Sequence, residues 1–547
     1  MQGSAPRWLL AAVLALAVSF LWFTNLDQRK LVKPDEGRYA EISREMWVSG
    51  DWVTPRLNGI KYFEKPALHY WAGASAYTLF GKHEWTARLW VALAGLAGVL
   101  IAWYFGRRLF GEMEGRYAAA VLGSSLMYFS LAHLNLVDMG LTLFLSAALG
   151  AILLAQRDGA SDADRRGWML GAWAAMGLAV LTKGLVGLVL PAMALVLYIL
   201  IERDWRLLTR LHIGLGVAVF LLIAAPWYVL VSVRNPEFPW FFFVQEHFLR
   251  YATDAGRREG GWWYFVPLLL VGLIPWTIPA LHGAVAAWHA DRSPAGFRPL
   301  RFLIIWAASI FLFFSLSRSK LPHYILPMFP ALALLAGWQI GRMPARRLAW
   351  ELLPVAGLLV AVAAFAVLGH SHRSTPPELI SAFKPWLLLG LGTLSVGVLA
   401  AAWQLRKGRI ATGVLAAGLA AMAAYQVTLR GYDELSPYMS SAHIARQIRP
   451  HLRPDTPFYS IETYDQTLDF YLDRTVILVE FLDELHFGLL QEPHRWIPTV
   501  AEWKQVWRRQ PGAFALMDAS RYEKLREEGF PMLLIAHDHR RYIVRAP

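Results

Sequence analysis

Short clusters of ionisable residues stand out in a chain that is otherwise strongly apolar. The first is Lys33-Pro34-Asp35-Glu36-Gly37-Arg38-Tyr39. Pro34 favours an extended entry, so Asp35 falls near the start of a following helix. There a carboxylate can act as an N-cap, with Glu36 complementing the helix dipole. It can also act on a substrate beside Arg38 and Tyr39, and one residue can do both. The second cluster is Tyr62-Phe63-Glu64-Lys65-Pro66. A lysine in a turn between aromatics suits a phosphate head group, because its ammonium is a compact charge with three donors; the plainer role is snorkelling from a membrane interface. Glu64 would repel a phosphate unless Lys65 or a cation bridges them, which makes it a candidate ligand for a divalent metal. Next come His133, Asn135 and Asp138, in a short loop before an apolar run. Asp138 has no basic residue within a helical turn of sequence and needs a partner from elsewhere. Lys183, Arg250 with Tyr251, and Arg318, Lys320, His323 and Tyr324 complete the set. A ring of Lys65, Lys183, Arg250, Arg318 and Lys320 would hold an anionic substrate, although each alone is more often a solvated or head-group contact.

The elements that position these residues are membrane spans. Of 547 residues, 56% are hydrophobic and 17% charged, and the mean hydropathy is +0.37. A water-soluble chain of this size needs more polar surface, so the excess apolar surface faces lipid. The 25 tryptophans and 20 tyrosines suit membrane interfaces. The absence of cysteine excludes disulfides, thiolate metal sites and a cysteine nucleophile. About thirteen apolar runs are each long enough to span a bilayer as a helix or nearly so. They lie near 8–26, 86–104, 117–134, 140–155, 168–181, 185–201, 213–233, 262–287, 302–316, 322–340, 348–368, 386–403 and 410–427. The first reads as an uncleaved anchor rather than a signal peptide.

The net charge is +13, and its placement argues against nucleic acid. Alternate short loops carry three basic residues each: Arg107, Arg108 and Arg116, for example, or Arg203, Arg206 and Arg210. That is the cytoplasmic signature of a multi-pass protein. The loops holding Asp35, Lys65 and Arg250, and the C-terminal segment, then lie outside, which is the periplasm of a Gram-negative cell. In the first outer loop, 36–48 has one apolar helical face and stops at Ser49-Gly50-Asp51, Asn58-Gly59 marks a turn, and 67–80 reads as a second, interfacial helix. From residue 433 onward the texture changes. Strands are expected at 458–461, 475–480, 513–517, 532–536 and 541–544. Helices are expected at 441–448, 466–472, 500–508 and 521–528. This alternation predicts a small α/β domain with a partly parallel sheet. The expected division is thus 1–430, a transmembrane catalytic domain with interfacial helices in its first outer loop (27–85), and 431–547, a periplasmic α/β domain. No GxGxxG, Walker, zinc-ligand or GxSxG pattern is present. Ionisable residues at the outer face, with no inverted repeat, argue against a transporter.

The run Lys33 to Ile42, then Ser49-Gly50-Asp51-Trp52, Tyr62-Phe63-Glu64-Lys65-Pro66, Leu181-Thr182-Lys183-Gly184 and Ser317-Arg318-Ser319-Lys320-Leu321-Pro322-His323-Tyr324 resembles the bacterial aminoarabinose transferases of the protein-mannosyltransferase-related family. The resemblance covers essentially the whole chain. It implies a glycosyltransferase C-type fold in the inner membrane, with the active site and C-terminal domain facing the periplasm. It implies an undecaprenyl-phosphate-linked 4-amino-4-deoxy-L-arabinose donor and a lipid A phosphate acceptor, the product resisting polymyxin and cationic peptides. Asp35 and Asp138 are its catalytic candidates. Lys65 is its phosphate-binding lysine, with Arg250 beside it. Arg38, Tyr39, Tyr62, Lys183, Arg318, Lys320, His323 and Tyr324 are substrate-binding candidates. No cofactor is implied beyond a divalent metal at Glu64. A relative that transfers another sugar, such as mannose, is the nearest alternative.

Overall fold

The structure, a computed structural model, describes residues 7–249, 260–290, 296–368 and 375–547. Its first ten α-helices are α1 (Arg7–Phe23), α2 (Asp35–Ser49), α3 (Leu68–Phe80), α4 (Glu84–Leu109), α5 (Glu112–Gly123), α6 (Leu126–Leu131), α7 (Val137–Gln156), α8 (Asp162–Lys183), α9 (Val186–Glu202) and α10 (Ile213–Arg234). Further helices include Phe265–Gly272, Thr277–Ala290, Pro299–Leu316, Phe329–Ile340, Ala345–Leu368, Pro377–Arg406 and Ile410–Gly431. Each of the thirteen apolar runs is therefore helical over most of its length. The third is broken at Ser124 and Ser125 into α5 and α6. The eighth bends by 107° between Phe265–Gly272 and Thr277–Ala290. Among the described residues, eight helices are long and apolar enough to cross a membrane, or nine with the bent pair taken as one. The others are shorter, broken or, like α8, headed by charge. The chain is a multi-pass membrane protein.

The described residues fold as two compact units. The first draws on Met1–Leu26, Leu89–Gly369 and Trp386–Leu429, and the second on Asp27–Arg88, His370–Pro385 and Arg430–Pro547. In the first unit α7 is almost wholly buried. Its hydroxyls bond inside the helix, Thr142 to the Asp138 carbonyl at 2.8 Å and Ser146 to the Thr142 carbonyl at 2.6 Å, as an apolar surround demands. Helix α10 is the opposite case and exposes Leu215, Leu221, Leu222, Val229 and Val233. Apolar surface of that extent on a helix long enough to span is lipid-facing surface.

The second unit is built on a six-stranded sheet: β3 (Phe458–Ile461), β4 (Ile477–Val479), β5 (Trp496–Ile497), β6 (Phe514–Asp518), β7 (Leu533–His537) and β8 (Arg541–Arg545), in the order β5-β4-β3-β6-β8-β7. The first four in that order are parallel and the last two pairings antiparallel. Trp503 and Trp507 pack on Tyr459 to close one face. All five expected strands are present; β5 is an addition, because two residues are too few to show a period of two. Residues 27–88 belong to this unit. Leu31, Ala40, Tyr77 and Ala87 share a core with Phe470. The hairpin β1 (Arg56–Leu57) and β2 (Ile60–Lys61) turns at Asn58 and Gly59, with φ of 55° and 70°, the signs that a type I′ turn requires. Asn58 also bonds the backbone of Val476 through both ends of its amide, at 2.9 and 2.7 Å.

Candidate functional site

Helix α2 begins directly at Asp35 and ends at Gly50, whose φ of 71° lets its amide reach the Met46 carbonyl, a turn that suits glycine. Asp35 is not the cap. Pro34 occupies that position without a side-chain bond, and the Gly37 amide turns back to the Val32 carbonyl at 3.3 Å. The Asp35 carboxylate is therefore released to accept from Arg38 Nη1 at 2.7 Å. Glu36 does more than complement the helix dipole. It is buried and takes Arg88 on both oxygens, at 2.7 and 2.9 Å, with Arg29 at 3.5 Å. A buried carboxylate so paired fixes the start of α2, and with it Asp35.

Arg38 is the hub. One nitrogen meets Asp35; another pairs with Glu484, a residue of the C-terminal segment that the motif reading had missed. Glu484 also accepts from Gln466 Nε2 at 2.6 Å, and burial raises its pKa against the pull of Arg38. Around them stand Tyr39, Tyr62, Glu64 and Tyr70, whose charges and dipoles act on one another. The buried hydroxyls of Tyr62 and Tyr70 and the Arg38 Nε have no hydrogen-bond partner among the described residues. Three buried donors of this kind can serve the oxygens of a ligand. Lys65 donates to the Glu64 carbonyl at 2.8 Å and lies 3.8 Å from the Glu64 carboxylate. Among the described residues no three His, Asp or Glu side chains meet as a metal site. A cation at Glu64 would have that carboxylate as its protein ligand and would draw on substrate oxygens for the rest.

In the first unit Asp138 is the second residue of α7 rather than part of a loop, because the extended Leu136 already starts the helix. Its missing partner is Lys183, the last residue of α8, which bonds Asp138 Oδ1. His323 Nε2 stands 3.5 Å from the other oxygen, and the Lys183 ammonium lies 4.6 Å from the centre of the Tyr324 ring. Three sequence candidates thus gather at one carboxylate, on a residue that is 2% exposed. Lys320 is also buried and donates to the Ser317 carbonyl at 2.5 Å; Arg318 is exposed. His133 is a packing residue, both ring nitrogens lying 2.7 Å from the Phe129 and Trp22 carbonyls. Asn135 is buried. Arg250 and Tyr251 lie outside the described residues.

Two family models match the chain. "Aminoarabinose transferase C-terminal domain" covers residues 444–546, and "Dolichyl-phosphate-mannose-protein mannosyltransferase" covers 64–230. An undecaprenyl phosphate-alpha-4-amino-4-deoxy-L-arabinose arabinosyl transferase of Pseudomonas paraeruginosa is 32% identical over 528 residues, 92% of each chain. The chain belongs to this transferase family. The Aeromonas hydrophila member is 34% identical over 69% of this chain and 71% of its own. The crystal structure of ArnT from Cupriavidus metallidurans bound to undecaprenyl phosphate is 41% identical, with a TM-score of 0.93 over 98% of both chains. An archaeal oligosaccharyltransferase, AglB of Archaeoglobus fulgidus, shares the fold at 13% identity, with a TM-score of 0.52 over 94% of this chain and 69% of its own. Asp35, Lys65 and Asp138 are singled out by the sequence alone. Glu484, Gln466 and Tyr70 are not, since the first two sit in an α/β segment without a motif and Tyr70 reads as one more interfacial aromatic.

Proposed function

We propose that the protein moves 4-amino-4-deoxy-L-arabinose from undecaprenyl phosphate to a phosphate group of lipid A. The observation that carries this reading is the full-length similarity to a transferase crystallised with undecaprenyl phosphate. The bond between the anomeric carbon and the carrier phosphate oxygen breaks. A bond from an acceptor phosphate oxygen to the same carbon forms, and the anomeric configuration inverts. The transition state carries positive charge on the sugar and negative charge on the departing phosphate. We assign Lys65 and Arg250 to the departing phosphate, and the unpartnered donors of Tyr62, Tyr70 and Arg38 to donor oxygens. Asp138, held by Lys183, His323 and Tyr324, is assigned to the same reaction. The acceptor is a phosphate monoester with a second pKa of about 6, so it arrives largely deprotonated. Asp35, oriented by Arg38, is thus assigned to positioning the acceptor and balancing the sugar's charge rather than to removing a proton. On this reading residues 1–430 form the catalytic membrane domain and 431–547 a periplasmic domain that folds together with the first outer loop, 27–88. The protein sits in the bacterial inner membrane with its site facing the periplasm, and the product lowers the negative charge that polymyxin exploits.

The test is mass spectrometry of lipid A from cells that make the donor. Wild-type protein should add one aminoarabinose mass to lipid A, and Asp35→Asn at matched expression should lose most of it. Addition by both proteins would reject the role of Asp35 and keep the reaction. No addition by a folded wild-type protein would reject the reaction.

A further inference from the structure

The reaction above brings a dianionic acceptor beside Asp35, itself an anion. Such an approach is repelled unless fixed cations offset it. Lys65 does not answer this need, because it is assigned to the departing phosphate. The second unit holds another pair of cations, Lys33, two residues before Asp35, and Arg540, which acts on Lys33.

Lys33 lies two residues before Asp35. Its amide donates to the Met439 carbonyl at 2.9 Å. Arg540, in the turn before β8, donates through Nη1 to the carbonyl of the adjacent Tyr438 at 3.2 Å, and its guanidinium lies 5.4 Å from the Tyr438 ring centre. The Lys33 backbone and the Arg540 guanidinium are thus both anchored on the same short segment, Ser436–Met439. Arg541 braces that segment from behind, donating to the Pro437 and Ser440 carbonyls at 2.9 and 2.7 Å. Its own charge is met by Asp465 at 3.0 Å and by Asp538. Lys33 and Arg540 have no carboxylate partner among the described residues. A lysine that only snorkels keeps its ammonium in water, away from other cations. The Lys33 ammonium is half-buried, and the nearby groups that act on it are Arg540, Arg541 and Asp465. Burial first, and the arginines next, lower its pKa; an anion bound there would relieve both effects.

We infer that Lys33 and Arg540 form an anion site for the phosphate of the acceptor lipid, with the C-terminal segment supplying the arginine. The site rests on the proposed reaction for its purpose and on the Ser436–Met439 anchorage for its geometry. It gives the C-terminal domain a direct task, which is to read the acceptor's phosphate.

The test uses the full-length protein in nanodiscs, with synthetic donor and lipid A as acceptor. Lys33→Gln and Arg540→Gln should each raise the acceptor KM by about tenfold or more, the scale of one charge-assisted hydrogen bond. The donor KM and the unfolding temperature should stay at wild-type values, and Lys33→Arg should restore the acceptor KM. Unchanged acceptor KM, or donor and acceptor KM rising together, would overturn the assignment. So would an effect present in nanodiscs rich in phosphatidylglycerol and absent in neutral ones, since the pair would then be binding bulk lipid. A second arm does not depend on turnover. By native mass spectrometry the wild-type chain should retain lipid A over its dephosphorylated form, and the double glutamine variant should lose that preference. If the wild type transfers no sugar but shows this preference, the proposed reaction fails and the anion site stands. If transfer proceeds and the preference is absent, the anion site fails alone.

Discussion

Replacing Glu45 by glutamine should make the second unit more stable, and by an amount that grows with pH. Glu45 lies on α2, one turn beyond Glu41. Its two oxygens accept the Gly59 amide at 3.0 and 2.9 Å. Glu41 is already committed to Arg44, at 2.7 and 2.6 Å. Burial, and then the neighbouring Glu41 carboxylate, push the Glu45 pKa up to about 8. Asp469, also raised by burial and by Glu41, adds an effect of the same sign. The carboxyl is therefore protonated in the folded unit across a range in which the unfolded chain has already lost that proton. A group whose folded pKa is raised above that of the unfolded acid loses stability as pH rises between the two values, here from about 4.5 to about 8. Each pH unit in this window is worth about 1.4 kcal/mol. Between pH 6.5 and pH 8 the wild type should thus lose on the order of 1–2 kcal/mol through this carboxyl. The interval avoids His443, whose lowered pKa, caused first by burial, acts in the opposite sense below 6.5. Glutamine keeps an acceptor for Gly59 and gains a donor for Glu41. The assay is the denaturant midpoint of the detergent-purified protein at several pH values across this range. Glu45→Gln should flatten the profile and gain most at pH 8. Parallel profiles for the two proteins would refute the reasoning.

Three shorter expectations concern the same unit. A methyl group at Gly37 would stand 2.6 Å from both the Gln466 carbonyl oxygen and Thr467 Cγ2, so Gly37→Ala should destabilise the unit by about 1–3 kcal/mol, read as a lowered unfolding midpoint. Arg88→Met would take from the buried Glu36 the cation that meets both of its oxygens, and the midpoint should fall by the equivalent of about 3–5 kcal/mol. Glu484→Gln removes one of the two carboxylates on Arg38. It should lower kcat several-fold with little change in stability, and a kcat equal to wild type would show that Glu484 does not position Arg38 for turnover.

The helical plan was legible because a membrane span needs about 20 apolar residues in a row, a pattern that a single sequence displays openly. Breaks in that pattern were harder to read. Ser124 and Ser125 interrupt the third run, yet neither is a strong helix breaker. Asp138 is the clearest success of reading by charge: a carboxylate without a local partner had to have a distant one, and Lys183 supplies it. Asp35 shows the limit. Its position at a helix start suggested a cap, but Pro34 takes the cap position and Arg38 takes the carboxylate. Nor does sequence tell that Glu484, more than 440 residues away, completes the Arg38 pair. Contacts between segments so far apart leave no periodic trace.

The pairing of residues 27–88 with 430–547 in one folded unit also sets a timetable for synthesis. Roughly 340 residues separate the two segments, and a chain elongates at about 5–20 residues per second. The segment bearing Asp35 and Lys65 therefore waits on the order of 20–70 s before the strands and helices it packs against exist. Until then Leu31, Ala40 and Tyr77 have no Phe470 to cover them, and Glu484 cannot reach Arg38. A nascent or truncated chain can own every residue of the motifs and still lack their arrangement until the segment from Phe470 to Glu484 has been made.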